Sequence, residues 1–263
     1  MDENFDPFAM SGEEITVEDV AQPATVQDDF DFETEEKPVQ ETPVENYQGG
    51  ARSRKSSGSY ETVTNKRITW SSTDKAFKMY NGDTKETTKI DPEAEFIYIS
   101  HRMCVTGAKQ VDNGKYNRIY SNEFIDSKNQ LVVISEYDSE KEERKEIGRG
   151  TYDELRETVK NTAGAAFTWN VYAIERGTDN LVRFEFTRSS RNVGFDIIGN
   201  VDHQCFKFGP AEEQKNGAIV FNVPTVEFNE ISDEENDKAT ELAEKVDGKL
   251  NHNRAMFEAA NNK

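Results

Sequence analysis

Apolar and polar residues alternate in short runs along the chain from about residue 60 onward, and turn-forming residues separate the runs. Alternation of this kind is typical of β-strands that have one buried face. Eight runs predict strands, at residues 62–70, 76–80, 96–106, 115–124, 131–137, 167–176, 181–187 and 218–228.

Two segments have helical spacing instead of alternation. The first starts with a capping-box pattern, Thr-x-x-Glu at residues 151–154, and carries Leu155 and Val159 four residues apart. The second starts with Ser-x-x-Glu at residues 232–235 and is amphipathic. Its apolar stripe consists of Ala239, Leu242, Ala243, Val246 and Leu250.

Short strands with one helix between them and one after them predict a mainly β, α+β protein with two helices. We expect an OB-fold-like small β-barrel over residues 60–230, since an OB-fold has one helix between its early strands and a late hairpin. Residues 231–263 then form a C-terminal amphipathic helix and tail, which packs on the barrel or on a partner.

The first 59 residues follow neither period. Residues 1–50 hold fifteen carboxylates against one base, Lys37, and a short basic linker, ARSRKSSGS, follows at residues 51–59. This composition predicts a disordered acidic arm. The arm carries most of the net charge of −19, so the remaining chain is near neutral and nucleic-acid binding is not excluded.

The arm interleaves phenylalanines with carboxylates, as in DDFDFE at residues 28–33. Such a segment can dock phenylalanine into apolar pockets ringed by basic groups, and it can compete with nucleic acid for a basic groove. Recruitment of replication proteins, self-inhibition and simple solubilisation all stay open as its role.

Signatures of several enzyme and membrane classes are absent from the sequence. It contains no GxxxxGK[ST], GxGxxG or HExxH motif, and no apolar run reaches the roughly 18 residues of a membrane span. Residues 202–205, Asp-His-Gln-Cys, lack a second pair of ligands, so we expect no metal and no cofactor. The absence of catalytic motifs favours a non-enzymatic protein. Two separated cysteines and an acidic N-terminus favour a cytoplasmic protein without membrane contact.

The predicted strand at 115–124 carries Tyr116, Arg118 and Tyr120 on one side. Aromatic rings stack on the bases of single-stranded nucleic acid, and a guanidinium holds a phosphate or stacks as well. On the strand at 96–106, alternation places Tyr98 and Arg102 on one face. If the two strands are adjacent, these residues lie beside those of the strand at 115–124. The alternative is that the tyrosines pack at the edge of the core and the arginines pair with local acids.

A second basic cluster comprises Arg183, Arg188 and Arg191. Arginines, serine hydroxyls and free backbone amides at a turn suit a phosphate group. The alternative is a solvated loop.

Four segments carry a family resemblance: RIYSNEF, GTYDELRETV, WNVYAIERGTDNLVRFEFTRSS and VPTVEFNEISDEENDKATELAEKV. Over residues 118–251 the chain resembles bacteriophage single-stranded DNA-binding proteins, which are replication-associated and have an OB-fold-like core. The resemblance implies single-stranded DNA binding in replication or recombination. Members of this family usually carry an acidic aromatic tail at the C-terminus, whereas here the acidic aromatic segment is N-terminal.

We therefore expect sequence-tolerant binding of single-stranded DNA. The expected binding residues are Tyr98, Arg102, Tyr116, Arg118, Tyr120, Arg183, Arg188 and Arg191. Two other functions stay open: an acidic inhibitor that mimics nucleic acid and blocks a host enzyme, and a virion structural or cargo protein.

Overall fold

Eleven β-strands and three α-helices form the part of the chain that the computed structural model describes, which is residues 61–111, 114–138 and 140–261. The predicted acidic arm and linker lie outside the described residues. The strands are β1 (Lys66–Ser71), β2 (Ala76–Asn81), β3 (Glu86–Lys89), β4 (Phe96–Gln110), β5 (Tyr116–Ser121), β6 (Val132–Asp138), β7 (Glu143–Gly150), β8 (Ala165–Glu175), β9 (Leu181–Thr187), β10 (Gln204–Asn216) and β11 (Ile219–Glu230).

Each of the eight predicted segments overlaps a strand, but alternation misses β3, β7 and β10. β3 reads ETTK and β7 reads ERKEIGRG, so neither has an apolar face for alternation to reveal. β10 contains Gly-Pro at residues 209–210 followed by a charged run, a composition more typical of a loop.

The strands form an open sheet in the order β3-β2-β1-β9-β8-β4-β5-β6-β7. The β10–β11 hairpin joins this sheet through Cys205 and Phe206, which pair with the start of β4. The expected small barrel is therefore wrong. β1 pairs in parallel with β9, so the β1–β3 meander extends the sheet outward on the side away from β7 instead of closing it.

The helices are α1 (Tyr152–Asn161), α2 (Arg191–Gly199) and α3 (Asp233–Asn261), so the expected count of two is also wrong. The predicted capping box is confirmed at α1, where the Glu154 amide donates to Thr151 and the Glu154 carboxylate accepts from the Thr151 amide. The sequence did not predict α2, because this helix spans only nine residues and Ser190 makes no side-chain capping hydrogen bond.

Each face of the sheet carries a hydrophobic core. On one side, which we call the α1–α2 face, the main core packs Phe184, Phe186 and Phe206 against Leu155 of α1 and Ile197 of α2. On the other side, the α3 face, the predicted apolar stripe of α3 packs on the sheet. The sheet residues in that second core are Ile97, Ile99, Tyr172, Ile174 and Leu181.

A β-bulge at Ile99 interrupts the alternation of β4. Tyr98 pairs with Ala173 and Ser100 pairs with Tyr172, so two adjacent positions of β8 oppose three of β4. The extra residue reverses the phase of every side chain beyond it. The prediction that Tyr98 and Arg102 share a face is therefore wrong.

Candidate nucleic-acid interface

Three predicted binding residues, Tyr116, Arg118 and Tyr120, lie on the α3 face of β5, as their alternation indicates. Tyr120 pairs with Thr106 of β4. Thr106 lies four residues after Arg102 with no further bulge between them, so both side chains are on the α3 face. Ile119, between Arg118 and Tyr120, points the other way into the main core.

The neighbouring strands add two residues that the sequence did not single out. Tyr137 of β6 pairs with Arg118, and Arg144 of β7 pairs with Tyr137. Directly paired residues point to the same face of a sheet. We call the set Tyr116, Arg118, Tyr120, Tyr137 and Arg144 the tyrosine–arginine face.

Arg144 is held in place within this face. Its Nε donates to Oγ of Ser135 at 2.9 Å, and its guanidinium lies 5.3 Å from the centroid of the Tyr120 ring. This distance is within the range of a cation–π contact. The guanidinium of Arg144 therefore lies over the Tyr120 ring.

Exposure of these side chains is compatible with ligand contact. Tyr116 is 40% exposed, Arg118 and Arg144 are exposed, and Tyr120 and Tyr137 are half-buried. A half-buried tyrosine leaves part of its ring accessible, which is compatible with stacking on a base. The arrangement combines three rings and two cations on three adjacent strands.

Tyr98 lies on the opposite side of the sheet. It packs against the main core, and its hydroxyl lies 2.7 Å from Nδ1 of His101. Burial, with the charge of Asp247, raises the pKa of Tyr98 to about 12. Tyr98 does not join the tyrosine–arginine face.

Arg102 is on the α3 face but is only 6% exposed. Its guanidinium donates to Oδ1 of Asp247 on α3 at 2.9 Å, to Oγ of Ser100 at 3.1 Å and to the carbonyl of His101 at 2.6 Å. The contact with Asp247 connects α3 to the sheet, and the three contacts together occupy guanidinium donors that we expected to bind phosphates.

Arg183 also lies on the α3 face, in a polar cluster at the centre of the sheet. It donates to Glu185 at 2.7 Å, and its neighbour Tyr172 donates to Glu123 at 2.8 Å. Burial, together with the charges of Glu123 and Glu185, raises the pKa of the Cys104 thiol well above its usual value. The thiol therefore stays protonated, and Arg183 is neutralised by local acids.

Arg188 and Arg191 lie at the end of β9, where α2 begins on the α1–α2 face. Both are exposed, and Arg188 adopts a positive φ of 47° and donates to the carbonyl of Gly164 at 3.2 Å. The structure does not bring these two arginines together with the β5 residues.

Among residues 61–111, 114–138 and 140–261, no helix combines the length and apolarity that crossing a membrane requires. The same part of the chain has no group of three or more His, Cys, Asp or Glu side chains placed to hold a metal ion.

Comparison of the chain with protein-family models, with curated proteins and with solved structures finds no match. The geometry of the chain itself therefore carries the functional argument.

Proposed function

We propose that this protein binds single-stranded DNA through the tyrosine–arginine face, in bacteriophage DNA replication or recombination. The observation that carries the proposal is that Tyr116, Arg118 and Tyr120 share one face with Tyr137 and Arg144. Rings stack on bases of any identity, so binding is sequence-tolerant, and contacts between arginines and phosphates make it salt-sensitive.

The proposed interface leaves out several of the binding residues that we expected from the sequence. Arg102 and Arg183 are engaged by Asp247 and Glu185, so their positive charge is compensated within the protein. Tyr98 lies on the other side of the sheet. Arg118 and Arg144 are the cations of the face, and among the described residues neither forms a salt bridge with an acid. We therefore assign the phosphate contacts to these two arginines.

The experiment is fluorescence anisotropy of labelled oligo-dT at two salt concentrations. We expect Arg118→Glu to raise the dissociation constant about tenfold or more at low salt and to reduce the salt slope by about one. Lys145→Glu makes the same charge change on β7 at a residue that faces away from Arg144, so it is the matched control. Absence of binding by the unmodified protein at low salt would exclude the proposal.

The acidic arm, residues 1–50, favours a second candidate function, a nucleic-acid mimic that inhibits a host enzyme. Deletion of the arm separates the two. A DNA-binding protein keeps or gains affinity for oligo-dT, because the deletion removes a net charge of −14 that repels DNA. In the inhibitor, deletion destroys activity and the tyrosine–arginine face is dispensable. Stable self-association without any DNA affinity would point to a virion protein instead.

A further inference from the structure

A cleft of about 380 Å³ lies on the α3 face, between strands β6 and β7 and the C-terminal end of α3. Phe257 and Ala260, one helical turn apart on α3, form its apolar side together with Val133 of β6. The volume of the cleft exceeds that of one nucleobase, and the half-buried ring of Phe257 offers a nucleobase a stacking surface.

An oriented carboxylate lies on the polar side of this cleft. Glu146 accepts from Arg149 through both oxygens, from Nε at 3.1 Å and from Nη2 at 2.8 Å. Arg149 also donates to Oδ1 of Asn261 at 3.2 Å. The hydrogen bonds from Arg149 lower the pKa of Glu146, so the carboxylate is ionised at neutral pH and acts only as an acceptor.

The cleft is continuous with the tyrosine–arginine face. Arg144 belongs to both, since it lines the cleft and its guanidinium lies over the Tyr120 ring. Ser135, which accepts from Arg144, also lines the cleft and pairs with Tyr120. A strand that stacks on Tyr120 therefore reaches the cleft without crossing another element.

We propose that the cleft receives one unstacked base of the bound single strand and prefers a base with an exocyclic amine over thymine. The inference rests on the proposed function. The base stacks on Phe257, its amine donates to the Glu146 carboxylate, and Arg144 holds the adjoining phosphate. Carboxylates accept from the amine of cytosine in the same way. Thymine flanks its single N–H with two carbonyl oxygens, which the carboxylate repels.

The test compares oligo-dC with oligo-dT of equal length, using the full chain and anisotropy at low salt. We expect the unmodified protein to bind oligo-dC roughly fivefold to tenfold more tightly. Glu146→Gln should abolish that preference, because glutamine keeps an acceptor for Arg149 but loses the charge. Binding of oligo-dC should weaken, and binding of oligo-dT should become tighter, because the repulsion between the carboxylate and the thymine carbonyl oxygens is removed. Phe257→Ala should weaken binding of both oligonucleotides.

Glu143→Gln is the matched control, because Glu143 is exposed on the same strand and faces away from Arg144. Equal affinity for the two oligonucleotides, or a preference that survives Glu146→Gln, would overturn this inference and leave DNA binding intact. If the unmodified protein bound neither oligo-dC nor oligo-dT, the proposed function itself would be overturned. Free dCMP serves as a competitor: displacement of the strand at equimolar concentration would identify a free-nucleotide site and reject the strand model.

Discussion

Tyr98 and Arg102 are four residues apart on β4, yet their side chains lie on opposite faces of the sheet. The bulge at Ile99 separates them, since it places one extra residue between the position paired with Ala173 and the position paired with Tyr172. Arg102 consequently meets Asp247 of α3, while Tyr98 meets His101 beside the main core.

Asp247 should stabilise the fold through Arg102. Asp247→Ala leaves a buried guanidinium without its counter-charge, and we expect the free energy of unfolding to fall by about 2 kcal/mol. The expected loss is below that for a fully buried pair because the Asp247 side chain is 44% exposed. Urea unfolding at neutral pH measures it. Glu244→Ala, at an exposed position of the same helix, should have little effect, and equal losses in the two variants would contradict the prediction.

The start of α3 should make stability depend on acid pH. Arg176 donates to Glu235 at 2.7 and 3.0 Å, and with the Ser232 amide it lowers the pKa of Glu235 from 4.5 to about 2. A lowered pKa in the folded state stabilises the protein above pH 4.5, and that contribution disappears as the pH falls from 4.5 towards 2.

Urea midpoints measured between pH 7 and pH 2.5 test this dependence. Glu235→Gln should be less stable than the unmodified protein at pH 7, and the difference should shrink as the solution becomes more acidic. Glu234→Gln is the neighbouring control, at an exposed position in the same first turn of α3. A difference that stays constant with pH would rule out the contribution of the Arg176–Glu235 pair.

Two glycines with nearly the same φ should differ in their tolerance of alanine. Gly164 has a φ of 80°, and a Cβ there would overlap the carbonyl oxygen of Ala108. Gly177 has a φ of 77° and no atom within 4 Å of the same position. We expect Gly177→Ala to cost about 1 kcal/mol from backbone strain alone and Gly164→Ala clearly more. Thermal melting compares them, and similar melting temperatures would refute the role of the close approach.

Tyr137 should contribute to DNA binding as much as the tyrosines of β5. Loss of one stacking ring costs about 1–3 kcal/mol, so Tyr137→Ala should raise the dissociation constant for oligo-dT at least fivefold. Tyr80→Ala removes a half-buried tyrosine from β2, several strands away, and is the control. Anisotropy at low salt gives both values, and an unchanged affinity in Tyr137→Ala would remove β6 from the interface.

The local sequence pattern was sufficient to predict some features of this protein. The Tyr116–Arg118–Tyr120 arrangement follows from the period of two in an extended chain, and the start of α1 follows from the Thr151–Glu154 capping box. The apolar stripe of α3 likewise identifies the surface that packs on the sheet. Each of these features depends on residues that are close together in the chain.

The tertiary structure decided the rest. Alternation cannot reveal a single extra residue, so the sequence misplaced Tyr98 relative to Arg102. Which strand pairs with β5 depends on contacts between distant residues, and that pairing brings Tyr137 and Arg144 to the tyrosine–arginine face. The sequence by itself determines which side chains share a face of a strand that has no bulge, as in β5, because there the face depends on backbone alternation alone. The sheet order and the position of α3 determine which faces meet and which charges are compensated, because these depend on burial and pairing across the whole chain.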